Sequence, residues 1–347
     1  MSLRRHIADA FGAATVSLLL LLAVLGLLCI VYSIYFRSQT QQRRRDHPIQ
    51  LRYFNGPWLI RIAFILVAIL WGFGELIRLR LLKGRGRIFT TPALQDTICK
   101  FYVISNIGFA EPTLILMLVF LLRSSLQKKE SGALSHRWDR RVMLYVFLIC
   151  FPIFILQLVL VFSGPVLVTV EEDSSQAMVK LNKYFTDVSS YLLDGTGTVV
   201  CLYPLINTLL LGLFDAILIS YLAYLGFKML TTVINKSLHR RIYVLVVSVI
   251  SLLLLRVSLL GVSVLPRPGG FLHETFVFIA FSALLSCTLL CIWMLVYCPI
   301  ADSLALRDLE HCQVAEEEFI TPFDDYYCGG ADTASVTAVT SSSSSQM

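Results

Sequence analysis

The chain is poor in charge. Only 15% of its 347 residues are Asp, Glu, Lys or Arg, against 56% that are hydrophobic, and its mean hydropathy is +0.74. Soluble domains carry nearer one-quarter charged residues, so a soluble globular fold is excluded. Histidine is absent from the middle of the apolar runs. The six histidines (His6, His47, His136, His239, His273 and His311) fall in polar segments or at run ends. A catalytic zinc needs three protein ligands held together, and no such set is assembled, which excludes the seven-helix zinc hydrolases. Aspartyl proteolysis within a membrane needs two aspartates sharing a proton; the apolar runs hold one, Asp215. A buried Ser/His pair for nucleophilic attack is missing. No Walker loop occurs, "KGRGR" from Lys83 being a basic connection, and no nucleic-acid motif is found. No metal, no cofactor and no enzymatic activity are therefore expected. No connection is long enough to hold a catalytic domain. The longest, Ser163 to Thr198, could form at most a small cap.

What the chain does have is long apolar runs. A spanning helix takes roughly 20 mostly apolar residues, and seven runs qualify: Ala14–Phe36, Trp58–Ile77, Thr97–Leu122, Val142–Phe162, Val199–Leu225, Ile242–Leu260 and Phe271–Tyr297. Unpaired strand edges are not tolerated in lipid, and the runs are too long and too uniformly apolar for barrel strands. The expected fold class is all-α, a polytopic seven-transmembrane helix bundle with a disordered C-terminal tail. Residues 1–13 form a short N-terminus, 14–300 the bundle and 301–347 the tail. The first run has basic residues before it, as a signal peptide would. It is too long for one, and "YFRSQTQQRRR" offers no small-residue cleavage site, so it is expected to remain as the first span.

Positive charge marks the cytoplasmic side. The connections that share a side with the tail, with "RRRDH" from Arg43, "HRWDRR" from His136 and "LHRR" from Leu238, carry the larger share of Lys and Arg. "RLRLLKGRGR" from Arg78 opposes them with five basic residues. The balance places the N-terminus outside and the tail in the cytosol, at the plasma membrane or else an endomembrane. The one Asn-x-Ser/Thr acceptor, Asn235-Lys236-Ser237, would then face the cytosol and stay unglycosylated.

From about Asp302 the chain turns acidic ("AEEEF", "FDDYY") and then Ser/Thr-rich ("TASVTAVTSSSSSQM"). Such a segment buries no core. It is either a solvated end or a docking tail regulated by phosphorylation. "DSLALRDLEHC" could lie on the membrane as a short amphipathic helix, with Cys312 as a lipidation candidate. Of the nine cysteines, Cys99 and Cys201 fall near the outer ends of the third and fifth spans. They are either a disulfide tying the fourth connection to the third span or two unrelated thiols, since cysteine is common in apolar helices. Cys287 and Cys291, four residues apart with no histidine nearby, are packing residues.

Ionisable groups within a span are functional candidates whose partners should be named. Arg61, near the cytosolic end of the second span, can snorkel to headgroups. Glu75 and Lys100 lie near the outer ends of consecutive spans. They are expected to pair there, or else to line a pocket open to the outside. Glu111 precedes Pro112, and proline kinks a helix. Asp215 lies at comparable depth in the fifth span. Two carboxylates at one level repel unless one is protonated. They suit a proton- or ion-sensitive switch, or two separate hydrogen-bonded sites. Arg256, in "LLLLRVSLL", must turn inward, toward Glu274 or a bound anion, and is the leading ligand or switch candidate.

"FNGPWLIRIAFILVAILWGFGELIRL" and "FYVISNIGFAEPTLILMLVFLLR" are similar to plant seven-transmembrane proteins described as candidate G-protein-coupled receptors. The resemblance covers roughly Val16 to Pro299 and implies a role in membrane signalling. Rhodopsin-like switches are not carried over. "FLLRSSL" keeps Arg123 without the acidic residue before it or the tyrosine after it, and "LVYCPIADSL" has Pro299 without Asn-Pro-x-x-Tyr. The expected function is a receptor-like protein in which an outside small ligand, of unknown identity, biases two helix arrangements. Its partners would be the bilayer and a heterotrimeric G protein or another cytosolic signalling protein, with no nucleic acid. The alternatives are an ion- or proton-coupled transporter, which would be expected to show internal repeats, and a scaffold recruiting cytosolic proteins to the membrane.

Overall fold

The computed structural model describes residues 2–43, 58–83, 92–131, 136–169, 188–191, 199–232, 236–266, 270–299 and 301. Cys312, the acidic and Ser/Thr-rich tail, the sequon at Asn235 and most of the basic connections lie outside the described residues. The helices are α1 (Ser2–Arg43), α2 (Trp58–Lys83), α3 (Pro92–Val103), α4 (Glu111–Ser131), α5 (His136–Thr169), α6 (Leu205–Thr232), α7 (Lys236–Val262) and α8 (Phe271–Cys291). A π-helical stretch, Ile104–Ala110, joins α3 to α4, and another, Ile292–Tyr297, continues α8. Seven helical segments are long and apolar enough to cross a membrane, the third being α3, its π-helical stretch and α4 together.

Which faces are apolar shows what surrounds the bundle. Leu20, Leu70, Phe101, Leu148, Leu213 and Phe227 point outward and are 62% to 69% exposed, while Glu75, Asn106, Glu111, Asp215 and Arg256 are buried. Water as the outer solvent would reverse this distribution. Lipid permits it, because helices satisfy their own backbone groups. The chain is a multi-pass membrane protein. Its third span is the axis: 83% of that span's apolar window is buried, against 22% to 56% for the other six.

The spans alternate in direction. The start of α1 meets the start of α8 through stacked Phe11 and Phe278, 4.8 Å between ring centroids, and α2 stacks Trp71 on Phe281 of α8 at 5.4 Å. Small residues set the closest helix approach, as expected where lipid provides no hydrophobic drive between helices. On α6, a Cβ at Gly212 would lie 2.9 Å from Val257 of α7, and one at Gly226 would lie 2.8 Å from Val246. The two glycines make one continuous seam along an antiparallel pair.

Both π-helical stretches end just before a Xaa-Pro pair. Proline lacks an N–H and its ring crowds the carbonyl four residues back. Ahead of Pro112, the Glu111 N–H bonds to the Asn106 carbonyl, five residues back. Ahead of Pro299, the Cys298 N–H does the same with Trp293. The wider turn absorbs the missing bond without breaking the span.

The fifth span differs from its expected start. Val199–Cys201 is a β-strand (β2) paired antiparallel with Ser189–Tyr191 (β1), with Ser190 opposite Val200. The helix begins at Leu205, after Pro204. Val199, Val200 and Cys201 extend an apolar run, but Pro204 cannot continue a helix that enters from its N-terminal side without losing a bond. A Leu202 N–H to Val188 carbonyl bond of 2.7 Å extends the pairing.

Candidate functional site

At the end of the bundle where α3, α6 and α8 begin, Cys99 of α3 is disulfide-bonded to Cys201 of β2, with a Cα–Cα distance of 5.3 Å. The bridge places Tyr203, two residues on, against α3. One turn deeper lies a polar cluster around Glu75 of α2. Its carboxylate accepts three bonds: Arg78 Nε at 2.9 Å, the Tyr102 hydroxyl at 2.7 Å and Asn106 Nδ2 at 2.8 Å. Tyr203 and Tyr102 hydroxyls lie 2.5 Å apart. Since Tyr102 donates to Glu75, Tyr203 donates to Tyr102. Burial, with the Glu75 carboxylate beside it, pushes the Tyr203 phenol up to about 12, so it keeps the proton that it donates.

Lys100 is not the partner of Glu75. It pairs with Asp96 on its own helix at 2.8 Å. The reason is angular. Cys99, Tyr102 and Asn106 are spaced three and four residues apart, so they share one face, and that face is turned inward. Lys100 follows Cys99 by about 100° around the helix axis, from 3.6 residues per turn, and lies beside the buried face.

Deeper still, Arg256 of α7 forks onto Glu111 at the start of α4. Nη2 reaches Oε2 at 2.7 Å, and Nε bonds the other carboxylate oxygen. Nη1 donates to the Ala280 carbonyl of α8 at 2.9 Å. The guanidinium carbon lies 5.7 Å from the centroid of the Trp71 ring, a cation–π separation. One arginine thereby joins α2, α4, α7 and α8. Neither expected partner, Glu274 or an anion, is needed. Glu274 sits six residues nearer the helix start than Ala280, about 9 Å at 1.5 Å per residue, and belongs to the first turn of α8. Its acidity there suits the helix N-terminus.

Asp215 of α6 is 1% exposed. It lies within Coulombic range of Glu111, Arg256 and Cys287, yet neither of its carboxylate oxygens meets a hydrogen-bond partner among the described residues.

Sequence reasoning missed several members of these clusters. Arg78 belongs to α2 rather than to the basic connection after it, because α2 runs on to Lys83 and keeps it buried. Tyr102 and Tyr203 carried no signal beyond the spacing of Tyr102 from Cys99 and Asn106. Gln157 and Asn207, lone amides in apolar runs, bond reciprocally between α5 and α6: Nδ2 to Oε1 at 2.5 Å, and Nε2 to the Asn207 carbonyl at 3.1 Å. His273 Nδ1 lies 2.9 Å from the Ser263 carbonyl and donates to it, closing the turn between α7 and α8. A cleft of about 400 Å³ between the third and fourth spans is lined by Phe101, Phe109, Phe147, Phe151 and Phe154, with Ser105 its polar group. It faces outward, so the ionisable chemistry lies inside the bundle.

These features define a multi-pass seven-helix membrane protein with a stratified polar core. Over residues 1–314 the chain matches the family described as "Uncharacterised conserved protein UCP031277", and it belongs to that family. A comparison with curated proteins gives no match.

Proposed function

We propose that this chain is a receptor-like signalling protein, with its N-terminus and disulfide outside, its tail in the cytosol and the plasma membrane as its site. The observation that carries the reading is the route from the bridged connection into the core. The segment that ends at Cys201 is tied to α3, and Tyr203 directly after it bonds to Tyr102, which bonds to Glu75 of α2. A ligand that moves this connection therefore acts on a buried carboxylate through one intermediate side chain, Tyr102. Below it, the Arg256–Glu111 pair joins four helices, so a change in the upper cluster has a second, deeper element to bias. The similarity of the second and third spans to plant candidate G-protein-coupled receptors supports the same reading and suggests a heterotrimeric G protein as partner.

The test begins with tags at both ends in intact and permeabilised cells. An outside N-terminus with an inside C-terminus supports the orientation; both ends on one side sinks it. Energy transfer between a C-terminal tag and a tagged Gα subunit then reads coupling, with surface level read from the N-terminal tag. A receptor loses the signal in the double variant Arg256→Met/Glu111→Leu, which removes the ion pair without stranding a charge, at unchanged surface level. A scaffold keeps it and loses it on deletion of 302–347. A carrier shows no Gα signal, and its proton flux in proteoliposomes is lost on Glu111→Gln.

A further inference from the structure

The central cluster does not balance its charge. Glu111 and Asp215 are two carboxylates, and among the described residues Arg256 is the one cation within Coulombic range of Asp215. Arg256 is committed to both oxygens of Glu111 and to the Ala280 carbonyl. The upper cluster offers no surplus, because Arg78 is matched by Glu75. Among the described residues, the charged or titratable groups within electrostatic range of Asp215 on the helices around it are Glu111 of α4, Arg256 of α7 and the Cys287 thiol of α8. With both carboxylates ionised, the trio carries one uncompensated negative charge in a lipid-embedded core. An isolated buried charge of that kind is neutralised rather than tolerated.

We infer that Asp215 is a proton-binding site, and that its occupancy decides which carboxylate holds Arg256. With the proton on Asp215 the trio is neutral, and Arg256 forks onto Glu111 as observed. When the proton leaves to solvent, Asp215 becomes a carboxylate next to the guanidinium, and the two acids compete for one cation. Arg256 then shifts toward Asp215, and its bond to the Ala280 carbonyl and its position over Trp71 shift with it. A single positive charge could also arrive as a bound alkali ion. Such an ion needs several oxygen ligands. Glu111 is the other carboxylate at the site, and its oxygens are taken by Arg256, so the proton is the better fit. The inference holds whether or not the chain signals.

Infrared spectroscopy of the full-length protein in lipid nanodiscs tests it. The wild type should show a protonated-carboxyl C=O band that shifts in D₂O and is lost in Asp215→Asn, a near-isosteric change. Glu111→Gln should remove the same band, because the released Arg256 pairs with Asp215 and ionises it. The wild-type band should also fall in amplitude as pH rises, a reading that requires no variant to fold. Absence of an Asp215-dependent band overturns the proton site. A band that survives Glu111→Gln in folded protein, or that ignores pH, overturns the exchange. Absence of the band with a melting temperature raised by sodium but not by choline, and only when Asp215 is present, assigns a cation instead and equally overturns the inference.

Discussion

Arg256 and Glu111, 145 residues apart, meet in a two-point ion pair that is closed to solvent on both sides, the side chains being 2% and 0% exposed. Breaking such a pair from one side strands a buried charge, which costs about 3–5 kcal/mol, whereas replacing both members by apolar residues of similar volume is often neutral. Arg256→Ala should therefore lower the melting temperature of the purified protein sharply, and the double variant Arg256→Met/Glu111→Leu should recover most of the loss. A double variant as unstable as the single one would show that the pair is not a closed electrostatic unit.

The upper cluster makes a graded prediction. Tyr102→Phe removes one of three donors to Glu75 and also the acceptor for Tyr203 and for Asn106 Nδ2, so three buried polar groups lose a partner. Tyr203→Phe removes only the far donor. Leaving a buried group unsatisfied costs about 1–3 kcal/mol, so Tyr102→Phe should destabilise more than Tyr203→Phe in thermal unfolding. Equal effects would mean that the chain of hydroxyls does not act in the order drawn from the bond geometry.

Removing the disulfide should loosen the same end. Cys99 and Cys201 are 102 residues apart in sequence, and a closed loop of that size is worth up to about 4.7 kcal/mol in the chain-entropy account. The membrane already restrains the spans in the unfolded state, so the loss should fall below that figure. Cys201→Ser should lower the melting temperature and abolish the mobility shift between reduced and non-reduced protein on a gel. A shift that persists in Cys201→Ser would assign the bridge to other cysteines.

The α6–α7 seam should be intolerant of bulk. At Gly226 the nearest atoms to an added Cβ are all from the Val246 side chain, the closest 2.8 Å away. Overpacking of this kind costs about 1–3 kcal/mol. Gly226→Val should therefore cut the yield of folded protein, and Gly226→Val/Val246→Ala should restore it. Restoration failing in the double variant would place the cause elsewhere than this contact.

The level of detail legible in the sequence followed the range of the interaction. Glu75, Glu111, Asp215 and Arg256 were each identifiable as inward-facing, because a charge in a long apolar run has nowhere else to go. Their partners were not. Glu75 takes Arg78 and Tyr102 in place of Lys100, and Arg256 takes Glu111 in place of Glu274. Those choices depend on the angular phase of each helix and on depth differences of one or two turns. Runs apolar on every side carry no periodicity from which to read either. The start of the fifth span was displaced for a related reason. Val199 to Cys201 are as apolar as the helix they precede, and their pairing with residues 189–191 leaves no local signature.

By itself the sequence determined the number of spans, their alternation and the presence of ionisable groups within them. Each of these follows from run length against bilayer thickness, a local property of the chain. Tertiary structure alone decided that the third span is the axis, that one arginine joins four helices and that Asp215 lies beside an ion pair already complete. The physical reason is that side-chain pairing in a bundle is set by how helices rotate and slide against one another. In lipid that is decided by packing and by a few polar contacts, made here between residues up to 145 positions apart.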